Sequence, residues 1–78
     1  MMRYEDFEKL CLEGLIKDRP SDSKNELREY VKEEESQSLI KHFYDLGVKR
    51  YQNGTLHDER IAFTYCINTA VENLSLMF

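Results

Sequence analysis

Tryptophan is absent from these 78 residues, proline occurs once and glycine three times. So little proline and glycine excludes a loop-rich or collagen-like chain, and 41% apolar content excludes full disorder. Cysteine is also scarce. Cys11 and Cys66 do not make a disulfide framework, and no CxxC pair is available to hold zinc or run redox chemistry. Both fall among apolar residues, where reduced core thiols are expected. A basic excess is missing too: 15 acidic against 11 basic side chains leave a net charge of −4, the wrong sign for non-specific nucleic-acid binding. No run approaches the roughly 18 apolar residues of a membrane span. Met1-Met2-Arg3-Tyr4-Glu5-Asp6 places acids where a secretory signal needs an apolar core, and no lipidation pattern is found. A soluble, cytoplasmic protein is expected.

What the chain does have is helical periodicity. Its 23 large apolar residues (Val, Ile, Leu, Met, Phe) suffice for one domain over 1–78. A chain this short buries only about 60% of its unfolded surface, so a partner or a second copy would usefully extend its core. Tyr4, Phe7, Cys11 and Leu15 recur at steps of three and four and predict an amphipathic helix over 4–17. Gly14 borders that face, where a missing Cβ would let another backbone approach. Asp18-Arg19-Pro20 stops the helix, because proline disfavours helical geometry just before it.

Ser23-Lys24-Asn25-Glu26 reads as a capping box that opens a second helix carrying Leu27, Tyr30 and Val31. The next apolar set, Leu39, Ile40, Phe43, Tyr44, Gly47, Val48 and Tyr51, lies on a different side of the same helical wheel. A break near Glu35-Ser36 and a new helix over 37–52 are expected, with one kinked helix as the alternative. Asn53-Gly54 reads as a helix stop with Gly54 left-handed, and Thr55-Leu56-His57-Asp58 as a further capping box. The last helix has the strongest pattern: Phe63, Cys66, Ile67, Ala70, Val71, Leu74, Met77 and Phe78 cover an arc of about 140°. Ile61, Ala62, Tyr65 and Leu76 occupy its other side. A helix apolar on two sides is central in a bundle or half covered by a partner. The expected fold is all-α, a small three- or four-helix bundle with antiparallel neighbouring helices.

Chemistry is poorly represented. His42 and Asp45 stand one turn apart, and His57-Asp58-Glu59 opens the last helix, but neither matches the ligand spacings of zinc or carboxylate-bridged sites. The histidines read as solvated, with no metal and no cofactor. Nucleophile elbows, phosphate-binding loops and dinucleotide fingerprints are missing, and buried thiols are inert. The expectation is a protein that is not an enzyme.

Two surfaces invite a binding role. Residues 1–39 hold 7 basic and 11 acidic side chains, including Glu26, Glu29, Glu33, Glu34 and Glu35. Glutamates favour exposed helix, and Glu29 with Lys32 makes an ordinary intrahelical pair. Glu33-Glu34-Glu35 is nevertheless denser than solubility demands. Glu29, Tyr30, Glu33, Glu34 and Glu35 are therefore the expected contact surface for a basic partner protein, steered by charge and anchored by tyrosine. The second surface is Ile61, Tyr65 and Leu76, a candidate seam for a homodimer. Lys41, His42, Lys49, Arg50, Tyr51 and Gln52 make a weaker case for a DNA-reading face, since Asp45 interrupts it.

Leu46-Gly47, Tyr51, Gly54, Ala62 and Ala70 resemble part of a tetratricopeptide repeat, with a longer loop, altered alanine spacing and no closing proline. That resemblance implies a helical hairpin over 37–75 and no particular binding residues. In being small, acidic and helical, the chain also resembles nuclease-inhibiting immunity proteins. It implies an inhibitor or adaptor, antitoxin-like, that docks on a basic partner.

Overall fold

The computed structural model describes residues 1–17, 19, 23–53 and 58–78. Among these, four helices form: α1 (Tyr4–Lys17), α2 (Lys24–Lys32), α3 (Glu34–Gln52) and α4 (Glu59–Met77). Helix α1 keeps its expected bounds and buries Phe7, Cys11 and Leu15 on one face. Helix α2 buries Leu27, Tyr30 and Val31.

The α2–α3 break falls two residues earlier than the pattern predicts. Glu33 is extended, at φ −64° and ψ 149°, and serves as C-cap of α2 and N-cap of α3. Helix α3 starts at Glu34, its first turn sealed by Gln37 N donating to Glu33 O at 2.9 Å. The acidic run explains the placement: Glu34 and Glu35 sit in the first turn, where carboxylates meet the positive end of the helix dipole. Ser36 is consequently helical and fully buried. Two separate helices are present, and the single kinked helix is set aside.

The Ser23–Glu26 capping box does not form. Ser23 is in helical geometry (φ −86°, ψ −4°) and makes no side-chain cap bond, so its hydroxyl is not placed as an N-cap acceptor needs. The capping box expected at Thr55 has Thr55, Leu56 and His57 outside the described residues, as is Gly54. Its fourth member, Asp58, is itself the N-cap of α4, with its carboxylate accepting from Arg60 N at 2.9 Å. An aspartate in extended backbone caps directly, so α4 begins at Glu59.

Helix α4 is the centre of the bundle and packs most closely on α3 and next on α1. A Cβ on Gly47 would lie 2.8 Å from Phe63 Cδ1, and one on Gly14 would lie 2.8 Å from Val71 Cγ2. The neighbour that Gly14 admits is thus the Val71 side chain and not the backbone expected there. Phe7 meets Phe63 at 6.1 Å between ring centroids, so α1 and α4 run the same way, with Phe7 level with Phe63 and Gly14 with Val71. Helix α3 returns against them: Gln37 reaches Glu8 while Tyr44 reaches Met2 O. Phe7, Tyr44 and Phe63 form an aromatic cluster at 5.5–6.1 Å. Ala62, expected on the outer side of α4, is buried with Phe63, Cys66, Ala70 and Leu74. No helix among the described residues is long and apolar enough to cross a membrane.

One polar side chain ties three helices together. Gln37 Oε1 accepts from Tyr4 OH at 2.7 Å, and its Nε2 donates to Glu8 Oε2 at 2.8 Å and to Val31 O at 2.7 Å. The amide is fully satisfied, which is the condition for a part-buried polar group to stabilise rather than cost.

Candidate protein-docking groove

Of all the helix pairs, α2 and α4 touch least. Their separation leaves a groove of about 570 Å³ lined by Asn25, Glu26, Glu29, Tyr30, Glu33, Met77 and Phe78. Glu26, Glu29 and Glu33 follow at steps of three and four, so they stand on one side of α2 within an arc of about 60°. Tyr30 spans the gap. Its ring is buried, its hydroxyl donates to Leu74 O at 2.7 Å, and its face meets Phe78 at 4.9 Å between centroids. Burial pushes the Tyr30 phenol above its usual 10.0, so it remains a neutral donor at physiological pH.

The floor of the groove is apolar and open: Met77 is 49% exposed and Phe78 47%. The walls carry three carboxylates, and no lining residue is basic. One cation stands at the edge. The Arg19 guanidinium lies over the Phe78 ring at 4.9 Å from its centroid. Lys32 approaches Glu29 at 3.8 Å, with both side chains mostly exposed, a pairing too weakly held to occupy the carboxylate against a competitor.

The five residues expected to make the contact surface do not stay together. Glu29 and Glu33 line the groove. Glu34 lines a different one, of about 470 Å³, beside Tyr4, Gln37, Ser38, Lys41, Tyr44 and Asp45. Glu35 is exposed and lines neither. Tyr30 belongs to the core and offers the groove one edge of a ring whose hydroxyl is already engaged with Leu74 O. Glu26, Met77 and Phe78, which lie outside the expected set, also line the groove. The Glu26–Glu29–Glu33 spacing could have revealed the first. Met77 and Phe78, expected on the core face of α4, are exposed because that helix outruns the core beyond Leu74.

The candidate seam on α4 is exposed, with Ile61 at 57%, Tyr65 at 54% and Leu76 at 86%. It is discontinuous. Asn68 and Glu72 are exposed on the same side of the helix between Tyr65 and Leu76, and Arg50 covers the Tyr65 ring at 4.7 Å. That stacking also takes Arg50 out of the basic face of α3, while Lys41 turns into the groove beside Asp45.

His42 is exposed, with its ring edge-on to Phe43 at 5.1 Å; His57 lies outside the described residues. Among the described residues no three His, Cys, Asp or Glu side chains gather to hold a metal ion. Cys11 and Cys66 are free and buried. Burial, with Glu8 adding to it, pushes the Cys11 thiol up to about 12. Burial also raises Cys66, against the opposing pull of Arg50. Compared with protein-family models, curated proteins and solved structures, the chain matches none of them.

Proposed function

We propose that this protein is a small acidic binding protein, an inhibitor or adaptor, which uses the α2–α4 groove to dock a basic segment of a partner protein. The observation that carries the reading is the composition of that groove: Glu26, Glu29 and Glu33 around the exposed apolar surface of Met77 and Phe78, with no lining cation. Apolar floor and charged rim are the two parts of a protein-recognition surface, one supplying affinity and the other steering and register. The charge balance agrees. Residues 1–39, which include α1 and α2, hold all of the acidic excess, while residues 40–78 hold 4 acids and 4 bases.

The test is photo-crosslinking in native cells from a reactive residue placed at Glu29, with a second variant carrying it at Asn68 on the outer side of α4. The proposal expects an adduct from position 29 to a protein with a basic contact surface, and little from position 68. Adducts from position 68 alone, joining two copies of this chain, would replace it with the homodimer reading.

A further inference from the structure

We infer that the groove selects arginine over lysine in its basic partner segment, an inference that rests on the docking reading above. The argument starts from Arg19. Its guanidinium already lies over Phe78 at 4.9 Å, and Phe78 in turn leans on Tyr30 at 4.9 Å and 55°. The aromatic pair is therefore held at a fixed tilt by the Tyr30 hydroxyl bond to Leu74 O, and it presents a π surface suited to a flat cation. Phe78 retains close to half of its area in solvent, so Arg19 leaves room for a second contact.

Glu26, Glu29 and Glu33 line the same groove. A guanidinium satisfies both surfaces at once, lying flat on an aromatic ring while its edge forks to a carboxylate. An ammonium is a compact, strongly hydrated charge that pairs with the carboxylates but gains little from the ring. The occupant is thus an arginine-bearing segment of a partner protein, with Arg19 over Phe78 as the chain's own example of the ring contact. Lys32 of α2 competes only through its exposed pairing with Glu29.

The experiment uses two synthetic peptides of equal length and charge, one with four arginines and the other with four lysines at the same positions, titrated into the full chain at low salt. The arginine peptide is expected to bind at least fivefold more tightly. Phe78→Leu, which keeps apolar area but removes the π face, should bring that preference below twofold by weakening the arginine peptide more than the lysine peptide; an unaltered circular dichroism spectrum confirms its fold. Glu29→Gln with Glu33→Gln should weaken both peptides. Equal binding to the wild type, or a preference that survives Phe78→Leu, overturns the arginine inference and leaves acidic docking standing. Failure of both peptides to bind overturns both.

Discussion

Tyr30 in α2 donates its phenolic proton to the carbonyl of Leu74 in α4 across 2.7 Å. The Leu74 carbonyl also accepts the Phe78 amide at 3.1 Å, so one oxygen closes the last turn of α4 and holds α2 against it. Because α2 and α4 touch so little otherwise, this bond sets the width of the groove. Tyr30→Phe keeps the ring and loses the bond, and should cost about 1 kcal/mol. Tyr30→Ala also empties a buried ring and should cost about 3–5 kcal/mol. Urea denaturation of the two variants gives both values, and a Tyr30→Phe variant as stable as the wild type would show that the hydroxyl contributes nothing.

Gly47 and Gly14 make a paired test of packing. Alanine at either should gain up to about 1 kcal/mol of helix propensity. At position 47 the new methyl would sit 2.8–2.9 Å from the Phe63 ring, which is fully buried between Phe7 and Tyr44 and has nowhere to move. Gly47→Ala should therefore be destabilising by about 1–3 kcal/mol. At position 14 the obstacle is Val71, which is only partly buried. Gly14→Ala should cost clearly less, and the order of their melting temperatures decides the point.

The hub at Gln37 predicts a pH effect. Gln37→Glu places a carboxylate against Glu8 Oε2, where the amide now donates at 2.8 Å, and removes the donor to Val31 O. The variant should lose about 1–3 kcal/mol at neutral pH. Part of that loss should return as the pH falls and one of the two carboxyls takes up a proton. A loss that is flat with pH would mean the two carboxyls do not interact.

Much of the bundle was legible because apolar residues at steps of three and four leave little choice. The bounds of α1, the burial of Phe63, Cys66, Ala70 and Leu74 in α4, and the two buried thiols follow from that spacing. The start of α2 was legible at Ser23, although that residue's helical backbone leaves its hydroxyl without a cap bond; the start of α3 was not, since Glu33 has a cap's extended backbone without a cap's chemistry. The groove was half legible. Acid density pointed to the stretch that supplies Glu26, Glu29 and Glu33 to the groove, but one extended residue at Glu33 sends Glu34 into another groove, and no sequence pattern shows that the end of α4 overhangs the core.

Alkaline pH should unfold the protein. Cys11 titrates at about 12 in the fold against 9.0 for a free thiol, and Tyr4 and Tyr30 are raised from 10.0, chiefly by burial. A pKa raised by folding favours the protonated native state, so this stability is fully present below pH 9.0 and drains away as the pH climbs toward 12. The urea midpoint should fall across that window, and Cys11→Ala should flatten the fall. Below it, neither cysteine should react with a thiol reagent until denaturant is added.

The most direct measurement compares two double charge reversals by the dissociation constant of the partner crosslinked from position 29, titrated at low and high salt. Glu29→Lys with Glu33→Lys puts two cations into the groove and should weaken binding at least a hundredfold, while the wild type's affinity should fall with added salt. Glu34→Lys with Glu35→Lys changes the net charge equally but outside the groove, and should weaken binding less than tenfold. Equal losses from the two pairs, or no loss from the first, would contradict docking in the α2–α4 groove.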